Sequence, residues 1–164
     1  MPTAVNILEK TSALVARLTG IFVVFLCLGL VGSLLISVFF RYVVGQALSW
    51  PEEISLIIFT WLVLLTGSLG VREEFHVKLT VFSSRLPQLY RRILERIITA
   101  LIALFGLILV YSGYDLVQRT AEHLTPTLRL PLDWVNYSAP VCGTLIFLHA
   151  AAVLVRYGKG RANR

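Results

Sequence analysis

Apolar residues gather into four long runs. Residues 18–40, 54–71, 97–114 and 134–155 contain no Asp, Glu, Lys or Arg, and each run is 18 to 23 residues long. A helix needs about 20 residues to cross roughly 30 Å of hydrocarbon. The pattern predicts an all-α integral membrane protein with four transmembrane helices. The first run is too long for the apolar core of a cleavable leader, and no small-residue cleavage pattern follows it near Arg41, so it is read as a retained span. Short loops account for the rest, giving a single membrane domain over residues 1–164.

The polar segments differ in kind. In "RLPQLYRRILERII", Leu86, Leu89, Tyr90, Ile93, Leu94 and Ile97 recur at helical spacing, while Arg85, Gln88, Arg91, Arg92, Glu95 and Arg96 take the opposite face. That spacing predicts a cationic amphipathic helix over about residues 85–96, lying on the membrane surface or on a partner's flank before span three. The segment "LTPTLRLPLDWVNYSAP" is punctuated by Pro126, Pro131 and Pro140 and carries Trp134 and Tyr137. It reads as a loop entering an aromatic belt.

Composition agrees with the pattern: 57% of the residues are hydrophobic and the mean hydropathy is +0.79. Charge then orients the chain. Twelve of the fifteen Lys and Arg residues flank the termini or lie between spans two and three, and only Arg41, Arg119 and Arg129 fall on the other side. By the positive-inside rule both termini are cytoplasmic. The net charge of +6 is thereby explained as topology and attraction to membrane lipids, without nucleic acid.

Candidate chemistry is sparse. Cys27 and Cys142 lie within spans with no C-x-x-C spacing, and are read as buried space-filling residues. His76, His123 and His149 fall at three different depths, so no two can share an axial position on a haem. The spans hold no carboxylate, Lys or Arg with which to bind an ion or a charged substrate at mid-membrane. His149, inside span four, is either an imidazole hydrogen-bonded to a neighbouring helix or a functional contact. Gly29 with Ser33, and Ala139 with Gly143, are four residues apart and allow close helix approach, internally or to a partner.

"SWPEEISL" opens span two with two carboxylates. Ser49 to Glu52 fits a capping box. Glu53, about 100° further round a helix of 3.6 residues per turn, is expected to reach Arg41 across the short hairpin or to meet a partner.

The run "RYVVGQALSWPEEISLIIFTWLVLLTGSLGVREEFHVKL" resembles the small membrane subunit of TRAP (tripartite ATP-independent periplasmic) transporters, the DctQ-like family. The matching elements are Arg41 with Tyr42, then Trp50, Glu52 and Glu53, then Trp61, Gly67, Arg72 and His76. Further on, Pro126, Leu128, Pro131, Trp134, Tyr137, Pro140 and Gly143 resemble the family's last loop and helix entry. "FHVKLTVF" departs from the pattern in lacking an acidic residue near Lys78 or Thr80.

The resemblance implies a non-catalytic scaffold in the bacterial inner membrane. It would brace a large, elevator-type DctM-like subunit that holds the substrate and sodium sites. A DctP-like periplasmic binding protein would deliver an organic acid such as a C4-dicarboxylate or sialic acid. No cofactor is implied for this chain itself. Arg41, Trp50, Glu52, Glu53, Trp61, Gly67, Arg72, His76, Trp134 and His149 become the assembly candidates. Arg72 is expected among headgroups, and His76 at a helix end or against the large subunit. Two alternatives remain: a membrane anchor subunit of a respiratory enzyme, which haem absorbance would reveal, and a self-sufficient homo-oligomeric transporter, which would transport alone.

Overall fold

The computed structural model describes residues 2–73 and 88–162. Helix α1 runs Pro2–Phe39 and continues into a π-helical turn, Phe40–Val44. Helices α2 (Trp50–Arg72), α3 (Gln88–Thr120), the single turn α4 (Asp133–Asn136) and α5 (Ser138–Ala162) follow. Among the described residues four helices are long and apolar enough to cross a membrane, over Lys10–Val44, Trp50–Arg72, Ile93–Thr120 and Asp133–Arg156.

The helices outrun the apolar windows. α1 carries Lys10 and Arg17 within its 38 residues, because a charged side chain can leave the hydrocarbon while its backbone stays paired in the helix. At the far end α1 closes on Gly45, whose φ of 74° lies in the left-handed region and whose N–H donates to the Phe40 carbonyl. Only glycine enters that region without a Cβ penalty. The cationic segment expected as a separate surface helix enters at Gln88 as the first turns of α3, with no break before span three. No Gly or Pro lies between Gln88 and Ile98 to interrupt it. Residues 85–87 lie outside the described residues.

The spanning helices do not close into a bundle. α1 packs on α2, α2 on α5 and α5 on α3, so the spatial order is α1, α2, α5, α3, with a lighter contact of α1 on α5. This open slab has a terminal end, where α1 starts and α5 finishes, and a loop end, carrying residues 45–49 and 121–132.

Side-chain burial is inverted relative to a soluble domain. Phe25, Leu28 and Leu35 are about two-thirds exposed, while Ser12, Ser33, Ser55, Ser68, Ala150 and Cys142 are buried. In lipid, large apolar side chains gain little by turning inward, whereas small residues let backbones approach. A Cβ on Gly143 would stand 2.7 Å from the Gly106 carbonyl oxygen, and one on Gly113 would stand 3.0 Å from the Ala139 Cβ. Ala139 and Gly143 therefore form the internal α3–α5 contact. Gly29 faces Ile58 on α2, and Ser33 donates to the Pro51 carbonyl at 2.8 Å, so that pair is internal too. Ser55 donates to the same carbonyl at 2.7 Å and lies 3.1 Å from Ser33 Oγ. Each such bond between helices contributes about 0.6 kcal/mol on average. Cys142 is buried, as expected; Cys27 is exposed, because α1 turns that face away from the slab.

Candidate functional site

The assembly candidates sort to the two ends and one face. At the loop end, Arg41 in the π-helical turn donates to Glu52, bridging α1 and α2. The sequence led us to expect Glu53 to reach Arg41 or to meet a partner, with Glu52 in a capping box. The geometry gives the Arg41 pairing to Glu52 and shows no side-chain cap at Ser49. Ser49 has helical φ and ψ of −84° and −26° and makes no side-chain cap, whereas a capping residue needs extended backbone to turn its hydroxyl toward the helix amides. Pro51 in the first turn has no N–H and so removes one of the amides a cap would serve. Glu52 is thus left to pair with Arg41. The two side chains are 50% and 52% exposed, so solvent screening holds the pair to about 0–1 kcal/mol, and a double-mutant cycle on Arg41 belongs with Glu52.

Glu53 does something else. Its Oε2 accepts the backbone N–H groups of Thr127 at 2.9 Å and Leu128 at 3.2 Å, more than 70 residues along the chain. The loop it holds is itself ordered by hydrogen bonds. Thr125 N–H donates to the Leu130 carbonyl at 2.8 Å, Leu130 N–H to Thr125 Oγ1 at 2.9 Å, and Leu132 N–H to the His123 carbonyl at 2.9 Å. Arg129 at the tip has a φ of 51°. A carboxylate receiving backbone amides forms charge-assisted bonds, stronger than neutral ones. Sequence reasoning missed the loop backbone as the partner of Glu53, since peptide N–H groups leave no mark in the residue pattern.

Trp61, about three turns along α2 from Trp50, donates its indole N–H to the Trp134 carbonyl at 2.8 Å. Asn136 donates to Thr120 Oγ1 at 2.7 Å and ties α4 to the end of α3. Trp50 is half-buried at the start of α2 and the Trp134 ring is exposed. The loop end is therefore one connected polar structure built from α1, α2 and the 121–132 loop.

At the terminal end His149 is fully buried, with Nδ1 2.8 Å from Ser12 Oγ. Ser12 precedes the first apolar run, so His149 sits beside the cationic start of α1 rather than at mid-membrane. Arg72 closes α2 nearby and is half-buried. His76 lies outside the described residues.

The face of α2 turned away from these contacts exposes Val63, Thr66 and Gly67. A groove of about 680 Å³ runs along it to Gly70 and Glu73. A second groove of about 560 Å³ shares Val63 and Gly67 and is walled by Ile98, Leu101 and Phe105 of α3. A Cβ on Gly67 would meet nothing within 4 Å.

The polar contacts described fasten the slab's own helices and the 121–132 loop, and the slab leaves a notched apolar face on α2. The comparisons with known proteins give the family. The model for the DctQ component of tripartite ATP-independent periplasmic transporters matches residues 30–159, and the chain belongs to this family. It is 30% identical over 108 residues to the sialic acid TRAP transporter small permease protein SiaQ of Vibrio cholerae serotype O1, covering 65% of this chain and 61% of that protein. It is also 30% identical over 120 residues to the C4-dicarboxylate TRAP transporter small permease protein DctQ of Rhodobacter capsulatus, covering 70% and 53%. The chain thus spans less than two thirds of the length of these two relatives. It is an inner-membrane, non-catalytic transport component.

Proposed function

We propose that this chain is the small permease subunit of a sodium-coupled TRAP transporter for an organic acid, and that it braces the large membrane subunit. The substrate and sodium sites belong to the large subunit, and a periplasmic binding protein delivers the acid. The termini face the cytoplasm, in keeping with the distribution of Lys and Arg. The latched 121–132 loop then faces the binding protein's compartment. The relatives' names include sialic acid and C4-dicarboxylate, which supports a carboxylate substrate for this system as well.

The observation that carries the proposal is the open slab with its notched face. The groove along Val63, Thr66, Gly67 and Gly70 repeats at helical spacing and has small residues at its base, the geometry that admits another helix at close range. A helix of the large subunit is its occupant. Gly67→Leu fills the groove, and its Cβ enters open space, since a Cβ there meets nothing within 4 Å. The expected result is a roughly tenfold loss of large subunit co-purified with the chain, in line with the penalty of about 1–3 kcal/mol for overpacking a close contact. Phe25→Ala, on the exposed outer face of α1, leaves recovery unchanged. Equal recovery with Gly67→Leu would move the docking face elsewhere.

A further inference from the structure

At the terminal end, a cavity of about 310 Å³ opens where α1, α2 and α5 meet. Its floor is His149, Ser12 and Val153, all buried, and its rim is the half-buried Arg72 with the exposed Glu73 and Arg156. None of these features belongs to the loop-end structure, and of the lining residues Glu73 also stands at the end of the α2 groove. His149 Nδ1 is engaged by Ser12, whereas Nε2 is buried and has no hydrogen-bond partner among the described residues. A buried polar atom without a partner is uncommon and calls for a ligand or an ordered water.

The chemistry of the lining selects the ligand. Among the described residues, the lining carries two guanidinium groups, Arg72 and Arg156, and one carboxylate, Glu73, at the end of the slab where α1 starts. Guanidinium forks match phosphate oxygens two at a time, and basic pockets between spanning helices near the interface take phospholipid headgroups. In the tautomer whose Nδ1 accepts from Ser12 Oγ, the ring proton sits on Nε2 and adds a donor to the floor, directly or through one water. The volume equals that of roughly ten waters at about 30 Å³ each, ample for a phosphodiester and its glycerol. We propose that this cavity binds the phosphate of a membrane phospholipid, held by Arg72 and Arg156 over the His149–Ser12 floor.

The test is thermal unfolding of the full-length chain in a neutral detergent, titrated with phosphatidylglycerol. The melting temperature rises saturably. The half-saturating lipid concentration increases about tenfold in Arg72→Gln/Arg156→Gln, in keeping with the attraction of individual basic residues to anionic headgroups. It falls severalfold in Glu73→Gln, which removes the carboxylate of the described rim. Arg17→Gln, an exposed cation of α1 outside the cavity lining, leaves it unchanged. Far-UV circular dichroism identifies variants that keep the fold, and the opposite sign expected for Glu73→Gln tests the site even where the double variant is unstable. Inorganic phosphate separates the sources: a rise produced by phosphate alone and lost in the double variant keeps the anion site but assigns it to free phosphate. A lipid response that persists undiminished in the double variant, or that Arg17→Gln weakens equally, overturns the proposal.

Discussion

Gly143→Val is expected to lower the stability of the chain more than substitutions on the exposed helix faces. A Cβ there meets the Gly106 carbonyl oxygen at 2.7 Å, the Val110 backbone nitrogen at 2.8 Å and the Val110 side chain at 2.9 Å. Two of these neighbours are backbone atoms that no rotamer change can move, so α3 and α5 must separate along the most extensive helix contact of the slab. Overpacking of this kind costs about 1–3 kcal/mol, occasionally more, and two γ-methyl groups put valine at the upper end. The check is the melting temperature of the detergent-purified protein beside Gly32→Val, where a Cβ meets nothing within 4 Å. A clear fall for Gly143→Val with little change for Gly32→Val is the expected result. Equal shifts would show that α3 and α5 are not held by this contact.

Glu53→Ala is the second substitution with a large expected effect, and its readout is local. Loss of the carboxylate removes the acceptor of the Thr127 and Leu128 amides and frees the 121–132 loop from α2. Amide hydrogen exchange at those two residues is expected to accelerate at least roughly tenfold, as charge-assisted bonds are lost. Glu52→Ala, which breaks only the Arg41 pair, leaves both amides protected. Acceleration in Glu52→Ala, or none in Glu53→Ala, would remove Glu53 from its place as the loop's fastening.

These two residues mark where the sequence was legible. The four spans followed from charge-free runs alone, since excluding charge from hydrocarbon is a constraint on composition. Helix ends did not follow, because such a run marks the membrane and not the helix; Lys10 and Arg17 sit inside α1. The Ser49–Glu52 spacing matched a cap, but the backbone angles at Ser49 decide whether its hydroxyl can serve, and spacing is blind to them. A cross-hairpin partner for Arg41 was foreseeable from two acidic residues at the start of span two. Which of the two it is depends on a rotation of about 100° per residue, fixed by the π-helical turn and Gly45. The small-residue pairs Gly29/Ser33 and Ala139/Gly143 were visible, yet whether they met each other's helices or a partner required the order α1, α2, α5, α3. Ser12 went unnoticed because it lies before the first apolar run, where α1 had no predicted turn. Gly67 matched a family pattern, and the structure gives that match a physical content: an open notch beside large apolar neighbours.

The slab also accounts for the scarcity of chemistry along the chain. Its polar residues hold helix to helix and loop to helix, while its large apolar residues face outward. On the proposed function, a chain built in this way is a fixed wall against which the large subunit moves. The central claim is therefore that it supports transport without performing it. Sodium-driven uptake of a labelled organic acid into proteoliposomes, with the binding protein present, tests this most directly. This chain alone is expected to give none, and uptake is expected only when the large subunit is added; uptake by this chain alone would contradict the account.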